Sequence, residues 1–184
     1  AMRHVAPVRR ALGVTTVMNM VGPLVNPAGA GRQVMGVSDL SRCGVIAETF
    51  ARLGVAHALV VHAEIGMDEI SPAGRTAVWE IRDGDIERWT LDPAAFGEDC
   101  ADISTIGGGD PDANARRVEA VLDGEPDRPA KCAVLLNAAA AIHVALDVPF
   151  GQALERARDS LETGKARRVL DRLRALSPRE AGAV

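Results

Sequence analysis

The chain has 184 residues, with 21 Lys+Arg against 25 Asp+Glu, for a formal charge of −4 and a pI near 5.6. Such a length gives one domain, or one domain with a small appendage, and a composition 47% apolar and 25% charged excludes wholesale disorder. An acidic balance without a basic block argues against a nucleic-acid surface, and three Phe, two Trp and no Tyr leave no stacking platform for single strands.

Residues 1–10, with Arg3, Arg9 and Arg10, read as an amphipathic helical turn ending near Gly13. A second helical piece over 16–21 stops at Gly22-Pro23, because proline drives its predecessor out of the helical region. The loop with Asn26, Pro27, Gly29 and Gly31 is the one candidate domain boundary. Residues 33–37 form a short β-rich run. Val45, Ile46, Thr49, Phe50 and Leu53 then recur at helical spacing, closed by Gly54. The dense apolar run 55–62 is of strand length and reads as a strand covered on both faces. Runs 76–81 and 86–91 flank Asp83-Gly84, a hairpin signal, since that dipeptide tolerates positive φ. Asp110 followed by Pro111 opens a helix expected to bury Ala115, Val118 and Leu122 and to end at Gly124.

The run 132–145 is apolar all round and predicts a core helix. Its longest apolar stretch, 133–145, is interrupted by Asn137 and His143 and is short for a bilayer span. Phe150, Leu154, Ala157 and Leu161 predict an amphipathic helix stopped by Gly164, and Val169, Leu170, Leu173 and Leu176 a last one. The fold class expected is α/β, with a mainly parallel sheet flanked by helices. Three scattered cysteines (Cys43, Cys100 and Cys132), with no secretory h-region at the start, point to a soluble cytoplasmic protein.

Few residues offer chemistry. Asp68-Glu69 lies just past the carboxyl end of the 55–62 strand, where ligands of open α/β sheets gather. In a loop both carboxylates can face one space, and two hard oxygen donors there suit Mg²⁺ and a substrate phosphate. A merely solvated acidic loop is the competing reading. His57 and His62, five apart on one strand, point to opposite faces and cannot share a metal; His4 and His143 lie far off, with no zinc spacing. Gly107-Gly108-Gly109-Asp110 could cradle a phosphate, but Asp110 and Asp112 would repel one, so helix capping is the better reading. Arg9 or Arg10 could grip a carboxylate or phosphate in bidentate fashion, or simply solvate a helix face. Asn137 reads as a buried amide bonded to backbone. Ser104, Ser160 and the cysteines have no positioned base in view, so nucleophilic catalysis has no support.

The string RHVAPVRRALGVTTVMNMVGPLVNPAG, followed by VVHAEIGMDEIS, LDPAAFG, GGGDPDANA and AVLLNAAAAIHVA, resembles the carboxy-terminal half of the anthranilate phosphoribosyltransferase family, through essentially the whole chain and in the right order. The resemblance implies a Mg²⁺-dependent transfer of phosphoribosyl from 5-phosphoribosyl-1-pyrophosphate (PRPP) to the anthranilate amine, releasing pyrophosphate, in tryptophan biosynthesis. It matches Arg9 to the arginine that contacts the anthranilate carboxylate, Gly22 and Pro23 to the wall of the anthranilate channel, and Asp68 and Glu69 to the pair that holds Mg²⁺ against pyrophosphate. It also implies a homodimer formed through a small all-α domain, to which residues 1–24 would belong, with 25–184 in the α/β domain.

Three departures, Thr15, Met18 and Ala63, remove no carried-over ligand. The family's GTGGD loop and KHGNR-like segment occur nowhere in the chain. The chain therefore reads as a fragment, expected to be inactive alone. Rival readings are a pyrimidine nucleoside phosphorylase of the same fold, and a non-catalytic nucleic-acid-binding relative, which the charge of −4 disfavours.

Overall fold

The computed structural model describes residues 11, 13, 24–26 and 28–177. The expected helical pieces over 1–10 and 16–21 lie outside them, as do His4, Arg9, Gly22 and Pro23. The sheet has four strands in the order β1-β2-β3-β4: β1 Arg32–Gly36, β2 His57–Ala63, β3 Thr76–Arg82 and β4 Asp85–Leu91. β1 and β2 run parallel, joined by helix α1 (Leu40–Arg52), as a parallel pair requires a crossover. β2–β3 and β3–β4 are antiparallel, so the α/β class holds while the sheet is mixed. The segment between β2 and β3 holds no helix to carry the chain back across a face, and the strand returns antiparallel. The hairpin turns where the sequence predicts, at Asp83 (φ 50°) and Gly84 (φ 93°).

Strand alternation sorts the core into two layers. Ala58 and Val60 of β2 and Ile81 of β3 face α1, against Cys43, Ile46, Ala47 and Phe50. Leu59, Val61, Val78 and Leu91 face the opposite way, onto α3 (Arg128–Leu146) and α4 (Phe150–Glu162). Every residue of β2 is buried, which is why its sequence is a continuous apolar run rather than an alternation. At 19 residues α3 is long and apolar enough by length and composition alone to cross a membrane. Here it is a core helix, with Leu135, Leu136, Ala139, Ala140 and Val144 among its buried residues.

The two peripheral helices form where the sequence predicts, but the burial expected along the first of them is corrected. α2 (Pro111–Leu122) buries only Val121, leaving Ala115 and Val118 exposed, and α5 (Lys165–Leu176) buries nothing, with Val169, Leu173 and Leu176 exposed. The two helices are tied by Arg167 and Arg174 to Glu119. Likewise Val45 and Leu53 of the α1 pattern face outward.

α1 is capped by Asp39, whose carboxylate accepts from the Ser41 backbone N–H and hydroxyl and from Arg42. Those bonds hold the Asp39 carboxyl below its ordinary range. A carboxylate depressed in the folded state stabilises the fold above the unfolded pKa of about 4 and ceases to do so as pH falls through the depressed value. Asp39→Ala is therefore expected to lower the urea midpoint at pH 7 and to leave the chain less sensitive than the parent to acidification towards pH 3, the sets of midpoints being the measurement. The layering predicts a second contrast: Leu136→Ala costs about 2–5 kcal/mol in equilibrium unfolding, whereas Leu173→Ala stays within about 0.5 kcal/mol of zero.

Candidate functional site

The parallel strands β1 and β2 end side by side at Gly36 and Val61–Ala63, and the loop after β2 folds back over that edge. Ala63 N–H donates to the Met67 carbonyl (3.0 Å), Gly66 N–H to the Ala63 carbonyl (2.8 Å), and Glu64 N–H to the Arg75 carbonyl (2.9 Å). The turn brings Asp68 against the end of β1: a Cβ on Gly36 would lie 1.5 Å from the Asp68 carbonyl oxygen, so only glycine fits. His62, buried on the α1 side, bonds through Nδ1 to the Val37 carbonyl (2.7 Å) and fixes the chain just beyond Gly36.

From the other face, Asn137 of α3 grips the far end of the loop. Its Oδ1 accepts from Ile70 N–H (3.0 Å) and its Nδ2 donates to the Ile70 carbonyl (2.8 Å), with a further bond to its own helix at Ala133. Asn137, expected as a buried amide bonded to backbone, is half-buried and makes those backbone bonds as the clamp of the acidic loop. Ile70 itself is fully buried in the core layer that α3 and α4 cover. Ser71 and Thr76 add two more bonds to the loop: Ser71 N–H donates to Thr76 Oγ1 (3.3 Å) and Ala73 N–H to Ser71 Oγ (2.9 Å).

Between these two anchors Asp68 and Glu69 are exposed, and among the described residues neither carboxylate has a hydrogen-bond or ion-pair partner. Exposed, unpaired hard oxygen donors on a fixed loop are what a divalent ion such as Mg²⁺ takes up. The residues present fit that role.

The other sequence candidates sort out plainly. Arg9, Gly22 and Pro23 lie outside the described residues. The glycines before α2 serve capping: Asp110 accepts from Ala113 N–H (2.7 Å), and Gly109 N–H donates to Asn114 Oδ1 (2.9 Å). His57 and His62 point to opposite faces, as strand alternation requires. Cys100 and Cys132, far apart in sequence, lie with their sulfurs 3.6 Å apart. Burial, with Glu98 and Cys100 beside it, pushes the Cys132 thiol up to about 12, so no thiolate nucleophile forms there. Sequence reasoning missed Gly36, since a glycine in a strand gives no hint of what approaches it. It also missed the meeting of His57 with His143, which no local spacing encodes.

Residues 1–167 match the family described as glycosyl transferase family, a/b domain. The chain is 45% identical over 180 residues to the anthranilate phosphoribosyltransferase of Symbiobacterium thermophilum, covering 97% of this chain and 52% of that protein. Among solved structures it is similar to anthranilate phosphoribosyltransferase from Saccharomyces cerevisiae in complex with 4-fluoroanthranilate (TM-score 0.84, 29% identity, 92% of this chain and 50% of that one). It is similar also to the same yeast enzyme in complex with PRPP and Mg (TM-score 0.82, 28% identity, 92% and 49%). The chain thus spans about half the length of the curated relatives it matches.

Two substitutions test the anchors. Asn137→Ala leaves the Ile70 N–H and C=O unsatisfied and is expected to cost about 1–3 kcal/mol, with faster amide exchange through residues 64–71. Gly36→Ala must displace the Asp68 backbone, and the same exchange experiment should show protection lost there while α4 is unchanged.

Proposed function

The chain belongs to the glycosyl transferase family, whose a/b-domain model its residues 1–167 match, and on that premise we propose that it is the carboxy-terminal half of an anthranilate phosphoribosyltransferase. The activity is transfer of the phosphoribosyl group from PRPP to the anthranilate amine in tryptophan biosynthesis, in the cytoplasm and by a homodimeric full-length enzyme. The observation that carries the reading is the pair of unpartnered carboxylates, Asp68 and Glu69, on an anchored loop at the carboxyl edge of the sheet. The yeast enzyme's structures in complex with PRPP and Mg and with 4-fluoroanthranilate support the choice of substrates.

In this reading residues 1–24 belong to the small helical domain and 25–184 to the α/β domain. Arg9 holds the anthranilate carboxylate with its guanidinium fork, and Gly22-Pro23 walls the channel that admits the ring. Asp68 and Glu69 would hold a magnesium ion, whose chemistry when bound is to neutralise the departing pyrophosphate and orient it. The amine forms a bond to C1′ as the C1′–O bond breaks, with the electron pair leaving on pyrophosphate and the surplus amine proton passing to solvent. Positioning and charge stabilisation by these residues supply the rate, and no strong base is required. Gly36 and Asn137 act one step back, by keeping the acidic loop where a charged leaving group departs.

Because the GTGGD loop and the KHGNR-like segment are absent from the 184 residues, the chain assayed alone with PRPP, anthranilate and Mg²⁺ is expected to form no product. Joined to the amino-terminal half of the Symbiobacterium thermophilum relative, it should form phosphoribosylanthranilate, followed by its fluorescence. Asp68→Asn or Glu69→Gln should then lower turnover by about a hundredfold or more. A folded chimera indifferent to both substitutions would overturn the assignment of the acidic pair.

A further inference from the structure

The opposite, amino edge of the sheet gathers a second polar cluster that the transfer reaction does not use. His57 opens β2, Glu80 lies on β3 beside Leu59, and His143 lies near the end of α3, all three on the α3 side of the sheet. His57 is 0% and His143 7% exposed. Their rings meet edge-on, with centroids 5.1 Å apart and planes at 76°. Both Nε2 atoms converge on one carboxylate oxygen: Glu80 Oε1 is 3.0 Å from His57 Nε2 and 3.3 Å from His143 Nε2.

The far ring nitrogens are each tied to an acceptor. His57 Nδ1 is 2.8 Å from Asp147 Oδ1, and His143 Nδ1 is 2.6 Å from the Val148 carbonyl. A carbonyl only accepts, and so does an ionised carboxylate, so each Nδ1 carries its proton and donates. In the neutral tautomer each Nε2 then turns its lone pair towards Glu80 Oε1. A carboxylate oxygen faced by two ring nitrogens calls for positive charge there, either protons on those nitrogens or a cation that takes the lone pairs of the neutral rings.

We infer that His57, Glu80 and His143 form a structural binding site for a first-row divalent cation, Zn²⁺ foremost, taking Nε2, Nε2 and a carboxylate oxygen with a fourth position left to water. Tetrahedral zinc bonds of about 2.0–2.1 Å put neighbouring ligand atoms about 3.4 Å apart. The observed 3.0 and 3.3 Å are close to that, and the three ligand atoms all lie within 4.8 Å of one another. Asp147 and the Val148 carbonyl already occupy the supporting positions that orient metal-bound imidazoles and set their tautomers. The remaining Glu80 oxygen is held by the Trp89 indole N–H (2.9 Å), which fixes the carboxylate's direction.

Arg82 provides the positive charge when metal is absent. Its Nη2 is 2.9 Å from Glu80 Oε1 and 3.4 Å from His57 Nε2, and its Nη1 is 3.6 Å from Asp147. Unlike the imidazoles, its side chain is 45% exposed, so the guanidinium can swing into solvent and yield its place to an ion. Arg32 does not yield: it bonds to Asp147 and to the Val144 carbonyl and remains the counterion of Asp147. The three ligands come from β2, β3 and α3, which makes the site a staple joining these elements.

The test uses the 184-residue chain, titrated with Co²⁺ and Zn²⁺ after treatment with chelator. One equivalent of Co²⁺ is expected to give intense visible bands of a four-coordinate nitrogen–oxygen site, without the thiolate charge-transfer band that Cys100 and Cys132 would produce. One equivalent of Zn²⁺ should displace it and raise the melting temperature. Glu80→Gln and His143→Gln should each weaken binding by at least about tenfold, and Asp147→Asn by about 10–100-fold. Arg82→Gln, which removes the competing cation, should tighten it. The absence of those visible bands in the unsubstituted chain overturns the inference whatever the folding of the variants. So does equal affinity in folded Glu80→Gln, or an Arg82→Gln chain that binds no more tightly than its parent.

Discussion

A single side-chain amide satisfies both backbone groups of Ile70, and the rest of the carboxyl edge depends on it. Asn137 can do this because α3 is locked into the core by Leu136, Ala139 and Ala140, so the amide reaches the loop from a rigid support. Neutral hydrogen bonds in water contribute little net, but a buried backbone group left unpaired costs the full desolvation. The loop therefore has one low-energy docking, with Ile70 buried and its N–H and C=O both answered. On its other flank the Asp68 carbonyl lies where any side chain at residue 36 would be. The two acidic residues are thus positioned by an amide and by a missing methyl group, neither of which carries charge.

Much of this was legible from local signals. The Asp83-Gly84 hairpin, the α3 core helix and the Phe150–Leu161 stripe of α4 each follow from chemistry within a few residues, and each is present. Periodicity fails where it reports an apolar face but not what covers it. Val118 of α2 and Leu173 of α5 fit helical spacing and yet face outward among the described residues. The β3–β4 hairpin was legible, but the antiparallel pairing of β3 with β2 runs against the expectation of a mainly parallel sheet. Its clue was negative: the segment between β2 and β3 has no helical period with which to cross a face.

The candidate site divides along the same line. Asp68-Glu69 stood out because adjacent carboxylates after a buried strand are a local pattern. Their supports did not, since Asn137 is 67 residues from Ile70 and nothing near Gly36 announces the Asp68 backbone. The amino-edge cluster is harder still, with Glu80 23 residues from His57 and 63 from His143. Strand alternation alone told that His57 and His62 face apart. It could not tell which residues of a later helix would meet either one.

The two edges of β2 treat charge in opposite ways, and that contrast bears on function. At the amino edge Asp147 takes Arg32, His57 and Arg82, and Glu80 takes Arg82, Trp89 and two imidazoles. Burial alone would raise the Glu80 carboxyl, but Arg82, Trp89 and the imidazoles outweigh it and bring it below its usual range. Charge there is drawn into the fold and answered by the fold. At the carboxyl edge the chain anchors a loop at both ends and then leaves its two carboxylates free in solvent. Stability has no use for that arrangement: two adjacent like charges repel, and an exposed pair contributes nothing to packing. A loop fixed by buried bonds, yet presenting uncompensated negative charge, is the arrangement that the proposed magnesium site would require.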